Sequence, residues 1–147
     1  MNSITFISTS RSDFSSIKPI LEYSQFPSYI EINLICFGGV GDLDNLRNVK
    51  IKQLKTSIQI DYSNRLDIEN EINNIFMELE KDLKKTILFV VGDRWETLFI
   101  AYKSIISKIP IIHHSGGDIT NGAIDNQIRD AITSLSDFHF TSHKSHS

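Results

Sequence analysis

The stretch that decides the fold is TILFVVGDRWETLFIAYKSIISKIPIIHHSGGD, which runs from Thr86 to Asp118. Its first residues, Thr86 to Val91, are nearly all apolar, which is typical of a central parallel strand buried on both faces. We expect a helix from about Trp95 to Ser107 and a further strand from Pro110 to His113. A strand, a helix and a strand in this order indicate a parallel β-α-β unit.

The same alternation extends outward to both ends of the chain. The other predicted elements are a strand at Ile4 to Ser8, a helix at Asp13 to Tyr23 capped by Ser12 or Asp13, a strand at Tyr29 to Phe37, a helix at Ile68 to Leu83, a helix at Gly122 to Leu135 and a strand at Phe138 to Thr141. The region from Leu43 to Asn64 is read as a short helix plus a short strand near Ser57 to Ile60. We therefore expect an α/β fold, a Rossmann-like parallel sheet with helices on both faces, formed by residues 1–147 as a single domain.

Composition narrows the classes of function. A chain of 147 residues with 40% hydrophobic residues can bury one sizeable core. Its formal net charge of -3 argues against a nucleic-acid partner, which calls for a basic face. The one cysteine excludes an internal disulfide and fits a reducing compartment. The sequence has neither a signal-peptide pattern at its start nor the roughly 20 apolar residues of a membrane span, so we expect a cytoplasmic protein with no membrane partner.

Polar clusters follow four of the predicted strands. They are Thr9 to Asp13, Gly38 to Asp42, Gly92 to Glu96 and His113 to Asp118. In open parallel sheets, ligands bind beyond the carboxyl ends of the strands. We therefore expect a binding or catalytic site at this edge of the sheet.

The cluster GDRWE combines acid–base and anion-binding chemistry. Asp93 could serve as a general acid or base, and Arg94 could bind an anion. The structural alternative is that Asp93 caps the helix, Glu96 reaches back in a capping box, and Arg94 pairs with a carboxylate.

The later clusters leave similar pairs of interpretations open. Gly116 and Gly117 would let the backbone approach a ligand closely or take positive φ, or they form a tight turn capped by Asp118. Asp125 and Arg129 lie four residues apart on one helix face, as site residues or as a surface ion pair.

Arg11 lies in the first polar loop. Beside helix N-terminal amides it could hold a phosphate, or it is simply an exposed arginine.

Other patterns carry less chemistry. His139, His143 and His146 have metal-like spacing but no cysteine to complete a zinc site, so we expect no metal. Cys36 is expected to be a buried apolar residue, and Ser115 lacks the G-x-S-x-G elbow of serine hydrolases. The run Gly38-Gly39-x-Gly41 matches a dinucleotide fingerprint only in part, so it is read as a flexible loop and no cofactor is expected.

Taken together, the motifs resemble those of the hydrolysing UDP-N-acetylglucosamine 2-epimerases of sialic-acid and legionaminic-acid synthesis, in their N-terminal half only. The family motif GDRxE is complete at Gly92 to Glu96, and IPxxHxHGGE corresponds to IPIIHHSGGD at Ile109 to Asp118. The family motif TxGxxDxxIRHAITKLSxxHF corresponds to TNGAIDNQIRDAITSLSDFHF, and the TGTRADYG-like loop corresponds to STSRSDFS. The departures from the family are Thr9, Ser15, Ser115, Asp118 and Asp130.

The resemblance implies one half of a glycosyltransferase-B-like pair of Rossmann-type domains, with the site in the cleft between them. It implies conversion of UDP-N-acetylglucosamine, or a 2,4-diacetamido analogue, by elimination of UDP and addition of water. A C-terminal UDP-binding domain would then be absent, so we expect as partner a separately encoded C-terminal half or a second copy of the chain. The alternative is an inactive remnant or a sugar-nucleotide-binding module.

The resemblance also implies roles for individual residues. Asp93 and Asp118 correspond to acid–base residues, and Asp125 to a further catalytic carboxylate. The residues implied to contact the UDP-sugar are Arg11, Arg94, Glu96, His113, Gly116, Gly117 and Arg129.

Overall fold

The computed structural model describes residues 2–37, 46, 50–52, 64–79, 85–117 and 124–141. In chain order the elements are β1 (Asn2–Ser8), α1 (Arg11–Tyr23), β2 (Ile30–Cys36), β3 (Lys50–Lys52), α2 (Arg65–Leu79), β4 (Thr86–Val91), α3 (Trp95–Ile106), β5 (Ile111–His114), α4 (Asp125–Leu135) and β6 (Phe138–Phe140). Strands and helices alternate over most of the chain, as the apolar pattern predicts.

The six strands form one sheet in the order β3-β2-β1-β4-β5-β6. Every neighbouring pair is parallel. The order reverses between β1 and β4, which are neighbours in the sheet although β2 follows β1 in the chain. Such a reversal opens a crevice at the carboxyl ends of the two strands, where α/β proteins bind their ligands.

Helices cover both faces of the sheet because the strand side chains alternate. Phe6 and Ile7, which are adjacent in β1, belong to two different core clusters. Phe6 packs with Phe14, Ile17 and Leu21 of α1 on one face. On the other face, Ile7 packs in a cluster with residues of α2, α3 and α4, namely Ile68, Ile72, Phe76, Ile100, Ala101 and Ile132. The predicted parallel sheet with helices on both faces is confirmed.

Several boundaries differ from the sequence prediction. Strand β4 agrees with it at both ends, whereas α1 begins at Arg11 and α2 at Arg65, two and three residues earlier than predicted. The N-cap of α1 is Ser10, whose hydroxyl accepts a hydrogen bond from the Asp13 amide at 3.2 Å, so the prediction of Ser12 or Asp13 as cap is wrong. The loop at Gly38 to Asp42 and the strand predicted near Ser57 to Ile60 lie outside the described residues.

Among the helices of the described ranges, none is long and apolar enough to cross a membrane.

Candidate functional site

The polar residues described at the carboxyl edge of the sheet come from three loops. One loop joins β1 to α1, one joins β4 to α3, and one follows β5. Because β1, β4 and β5 are consecutive in the sheet, these loops are neighbours in space. The edge therefore gathers residues that are far apart in the sequence, as expected from the strand pattern.

Asp93 and Arg129 form an ion pair between the β4–α3 loop and α4. The Arg129 side chain is 7% exposed and that of Asp93 is 27% exposed, so the carboxylate is the more accessible partner. A second guanidinium nitrogen of Arg129 donates to Asn126 Oδ1 at 3.1 Å. Arg129 is therefore a buried cation that holds Asp93, and its interpretation as half of a surface ion pair is wrong.

The capping-box interpretation of Asp93 is also wrong. The N-cap of α3 is Arg94, whose side chain makes no capping hydrogen bond. The carboxylate of Asp93 points instead to Arg129, which lies 36 residues further along the chain. Asp93 thus keeps its place at the sheet edge through a tertiary contact and not through the helix that follows it.

Arg94 and Glu96 form a second ion pair in the same loop, with 2.7 Å between Arg94 Nη2 and Glu96 Oε1. The Glu96 side chain is only 3% exposed, whereas that of Arg94 is 40% exposed. The pairing of Arg94 with a carboxylate, predicted as the structural alternative, is confirmed. The accessible member of this pair is the guanidinium, so any contact with an anion falls to Arg94, and Glu96 lies behind it.

His113 is fully buried at the end of β5 and is bonded through both ring nitrogens. Nε2 lies 2.8 Å from the Gly92 carbonyl oxygen, and Nδ1 lies 3.1 Å from Thr133 Oγ1. A carbonyl only accepts, so the ring proton is on Nε2 and Nδ1 accepts from the Thr133 hydroxyl. Burial lowers the pKa of His113 from its ordinary value of 6.5, and the charges of His139, His114 and Arg129 act in the same direction, while the bond to Gly92 opposes it. The ring is therefore a neutral imidazole that joins β5 to the residue before Asp93.

The glycines after β5 serve two different purposes. Gly117 has φ +81°, which confirms the predicted positive φ at this turn. Gly116 is buried, and a Cβ there would lie 3.0 Å from Thr133 Oγ1 and 3.3 Å from His113 Nδ1. The close approach at Gly116 is thus to these two side chains of the chain itself.

The first loop is organised by Asp13. This residue is 6% exposed and accepts hydrogen bonds from the Thr9 amide at 3.0 Å and the Thr9 hydroxyl at 2.6 Å. Its other carboxylate oxygen lies 3.8 Å from where a Gly92 side chain would begin. Arg11 is exposed at the first position of α1, as a residue that contacts a ligand would be.

The structure does not bring all predicted residues together. Asp118 lies outside the described residues, and Asp125 is exposed in the first turn of α4. Sequence reasoning gave no site role to Asp13, which it treated as a candidate helix cap and matched to the first family loop, or to Thr133, which it matched to a later family motif. The Thr133 contact carries no local signal, because its partner His113 lies 20 residues away.

The described residues show neither a metal-binding cluster nor a reactive cysteine. Within these ranges no three His, Cys, Asp or Glu residues are placed so that they could hold a metal ion. Burial raises the pKa of the Cys36 thiol to about 11, so this cysteine is an inert core residue, as predicted. The β4–α3 loop takes part in two ion pairs, Asp93–Arg129 and Arg94–Glu96, and the buried His113 is hydrogen-bonded to the same loop.

Comparison with known proteins identifies relatives of this chain. A family model described as UDP-N-acetylglucosamine 2-epimerase matches residues 41–147. A GDP/UDP-N,N'-diacetylbacillosamine 2-epimerase (hydrolyzing) from Campylobacter jejuni is 41% identical over 69 residues, covering 47% of this chain and 18% of the relative. A UDP-N,N'-diacetylbacillosamine 2-epimerase (hydrolyzing) from Legionella pneumophila is 27% identical over 150 residues, covering 93% of this chain and 39% of the relative.

Solved structures agree with these sequence relatives in fold. The crystal structure of UDP-GlcNAc 2-epimerase from Neisseria meningitidis bound to UDP-GlcNAc matches with a TM-score of 0.72 at 16% identity, over 99% of this chain and 42% of that chain. The chain thus spans about two fifths of the length of these full-length matches. The resemblance to the N-terminal half of the family and the glycosyltransferase-B-like fold class are both confirmed.

Proposed function

The chain belongs to the UDP-N-acetylglucosamine 2-epimerase family, and from this premise we propose that it forms the N-terminal wall of a hydrolysing sugar-nucleotide 2-epimerase. We take residues 1–147 as a single domain of that enzyme. The reaction would convert UDP-N-acetylglucosamine into N-acetylmannosamine and UDP. The observation that carries the proposal is the Asp93–Arg129 pair, a partly exposed carboxylate fixed by a buried guanidinium at the ligand-binding edge of the sheet.

In the proposed mechanism Asp93 takes the proton from C2 of the sugar. The electrons of the C2–H bond form a double bond to C1, and the C1–O bond to UDP breaks. A proton then returns to C2 from the opposite face, and water adds its oxygen to C1 to give the inverted product. The proton that this water loses restores the acid that supplied C2, and Asp93 passes its own proton to solvent. Asp118 is the proposed acid for this return, and Asp125 a further carboxylate of the site. Arg129 orients Asp93 through a charge-assisted hydrogen bond.

Arg94 and Arg11 are the proposed anion contacts. Both are accessible, and the diphosphate that leaves C1 is the anion that such a reaction must hold. Glu96 orients Arg94, and His113, Gly116 and Gly117 form the floor of the site. Because binding of the leaving group supplies energy for the chemical step, loss of either arginine would lower the rate as well as the affinity.

A second substrate has specific support. The Campylobacter and Legionella relatives are named as diacetylbacillosamine 2-epimerases. The 2,4-diacetamido sugar nucleotide therefore stands beside UDP-N-acetylglucosamine as a substrate to be assayed. Both share the acetamido group at C2 and the UDP at C1, so the same residues would serve either one.

We propose further that the UDP pocket is completed by the region of the relatives that this chain does not span, in the same polypeptide or as a separate chain. A second copy of this chain is the other proposed partner. A different function, binding of a sugar nucleotide without turnover, is the alternative if no reaction occurs in the presence of that region.

The test is release of UDP from each of the two sugar nucleotides. The chain is assayed alone and with the remaining C-terminal region of the Legionella relative added. We expect release with the added region, and we expect Asp93→Asn to abolish it because an amide cannot take the C2 proton. Asp67→Asn is the control, since Asp67 is exposed in the first turn of α2. No release in any mixture would refute the enzyme proposal, and unchanged release by Asp93→Asn would refute the role of Asp93.

A further inference from the structure

Two side chains on one face of helix α4 connect this helix to the β4–α3 loop. Arg129 and Thr133 are four residues apart, so their side chains lie one above the other. Arg129 bonds directly to the Asp93 carboxylate, and Thr133 bonds to His113, which bonds to the carbonyl of Gly92. Asp93 is therefore constrained at its side chain and also at the peptide bond that precedes it.

We propose that Thr133 is a positioning residue for Asp93, acting through His113 and the Gly92 carbonyl. This inference rests on the proposed function, in which Asp93 takes a proton from the substrate. In this scheme Thr133 acts on Asp93 indirectly. Its hydroxyl fixes the orientation and protonation of the imidazole, and the imidazole fixes the plane of the Gly92–Asp93 peptide.

The hydrogen-bond directions follow from the chemistry of the three groups. If the ring proton were on Nδ1, the lone pair of Nε2 would face the Gly92 oxygen at 2.8 Å, and two acceptors would repel each other. With the proton on Nε2, both ring nitrogens are satisfied, because Thr133 donates to Nδ1. A substitution that removes the Thr133 hydroxyl would leave His113 Nδ1 as a buried acceptor without its donor.

The backbone at Gly92 explains why a fixed peptide plane matters. Gly92 has φ +79°, a conformation that leaves the sheet sharply and turns the next residue toward α4. A rotation of the Gly92–Asp93 peptide would move the Asp93 carboxylate away from Arg129. The bond from His113 to the Gly92 carbonyl opposes this rotation.

Gly116 leaves the space that this network needs. A Cβ on Gly116 would stand 3.0 Å from the Thr133 oxygen and 3.3 Å from His113 Nδ1. The first contact would displace the hydroxyl and the second the imidazole, and either would disturb the hydrogen bond between them. The missing side chain at Gly116 therefore leaves room for the Thr133–His113 bond.

The first test observes the imidazole and the loop directly in the isotopically labelled chain. Long-range proton–nitrogen NMR spectra report which ring nitrogen of His113 is protonated, and amide spectra report the environment of Asp93. We compare the wild type with Thr133→Val, which keeps the shape but removes the hydroxyl, and with Thr133→Ser, which keeps the hydroxyl. We expect a proton on Nε2 in the wild type, and shifts of the Nδ1 and Asp93 amide signals in the valine variant only.

Two results would overturn the proposal: a proton on Nδ1 in the wild type, or an Asp93 amide signal unmoved in Thr133→Val. If the valine variant fails to fold, a second pair carries the test. His113→Gln can place a donor where Nε2 lies and should keep the Asp93 signal near its wild-type position. His113→Asn is too short to reach Gly92 and should shift it, and equal spectra for the two would contradict the proposal.

A kinetic readout separates this inference from the proposed function. In the UDP-release assay we expect Thr133→Val to lower kcat on the order of tenfold with little change in KM, because small misplacements of a reacting group are costly. Thr133→Ser should restore the rate, and an equally impaired serine variant would contradict positioning by the hydroxyl. If no UDP is released by any protein, the proposed function fails, while the NMR result still decides the role of Thr133.

Discussion

His113 and Arg129 show two ways in which this chain places an ionisable side chain in its interior. His113 is buried, and its two ring nitrogens are hydrogen-bonded to a hydroxyl and a carbonyl, so the ring is held neutral. Arg129 cannot lose its proton, so its burial requires the Asp93 carboxylate. The first arrangement makes the stability of the fold depend on pH, and the second makes it depend on the presence of both partners.

We predict that His113 makes the folded chain less stable below about pH 6.5. Its folded pKa is lowered from 6.5, so below that pH the unfolded chain takes up a proton that the folded chain resists. Its contribution is complete above pH 6.5 and declines as the pH falls toward the folded pKa, by at most about 1.4 kcal/mol per pH unit. Urea unfolding of the wild type and His113→Gln at pH 7.5 and 5.5 measures this decline.

Comparing the wild type with His113→Gln cancels the contributions that the other charged groups near the ring make to the pH dependence. His114, His139 and Arg129 face His113 from β5, β6 and α4 and are present in both proteins. The variant is expected to lose less stability between the two pH values than the wild type does. Equal losses in the two proteins would contradict a lowered pKa at His113.

At this scale the sequence predicted which residue types gather at the edge but not their partners. Asp93 and Arg94 could be singled out because they follow a predicted strand, and Arg129 because it lies four residues after Asp125 on one face of a predicted helix. The pairing of Asp93 with Arg129 could not be predicted, because capping boxes and spacings of four residues favour local partners. This contact depends instead on the packing of α4 against α3 and β5.

Helix α1 begins in a segment in which four polar residues could each serve as its cap. Thr9, Ser10, Ser12 and Asp13 all carry suitable oxygens, and only the path of the chain out of β1 selects Ser10. Asp13 then becomes free to bind the Thr9 amide and hydroxyl. The existence of the helix was predictable from its apolar stripe, but its first residue was not, because residues with equal capping propensity compete.

We predict that Ser10→Ala lowers the free energy of unfolding by about 1 kcal/mol, because the Asp13 amide loses its acceptor at the helix N-terminus. Urea unfolding at neutral pH measures the change. Ser16→Ala is the matched control, since Ser16 is exposed within the same helix and should change stability by less than about 0.5 kcal/mol. Equal effects at the two positions would contradict Ser10 as the cap.

Across the whole molecule, the alternation of apolar strands and amphipathic helices was enough to predict a parallel sheet with its polar loops at one edge. Strand order was not predictable in the same way, because β1 lies between β2 and β4 through contacts of long sequence separation. The short strand β3 was missed because three residues, Lys50–Lys52, with two lysines carry little apolar signal.

In the proposed function the sheet edge supplies one wall for a UDP-sugar, and this predicts how UDP should bind. Ligand sites that bury most of a nucleotide need surfaces on more than one side. We predict that UDP leaves the unfolding free energy of the chain alone unchanged, and that it stabilises a complex with the remaining region of the Legionella relative by about 2.7 kcal/mol at 100 times its Kd. In that complex Arg11→Met should weaken UDP binding, whereas Lys85→Met, a change of an exposed residue directly before β4 and away from the carboxyl edge, should not. Strong stabilisation of the chain alone would instead favour the sugar-nucleotide-binding module, because a one-walled site would then suffice to hold UDP.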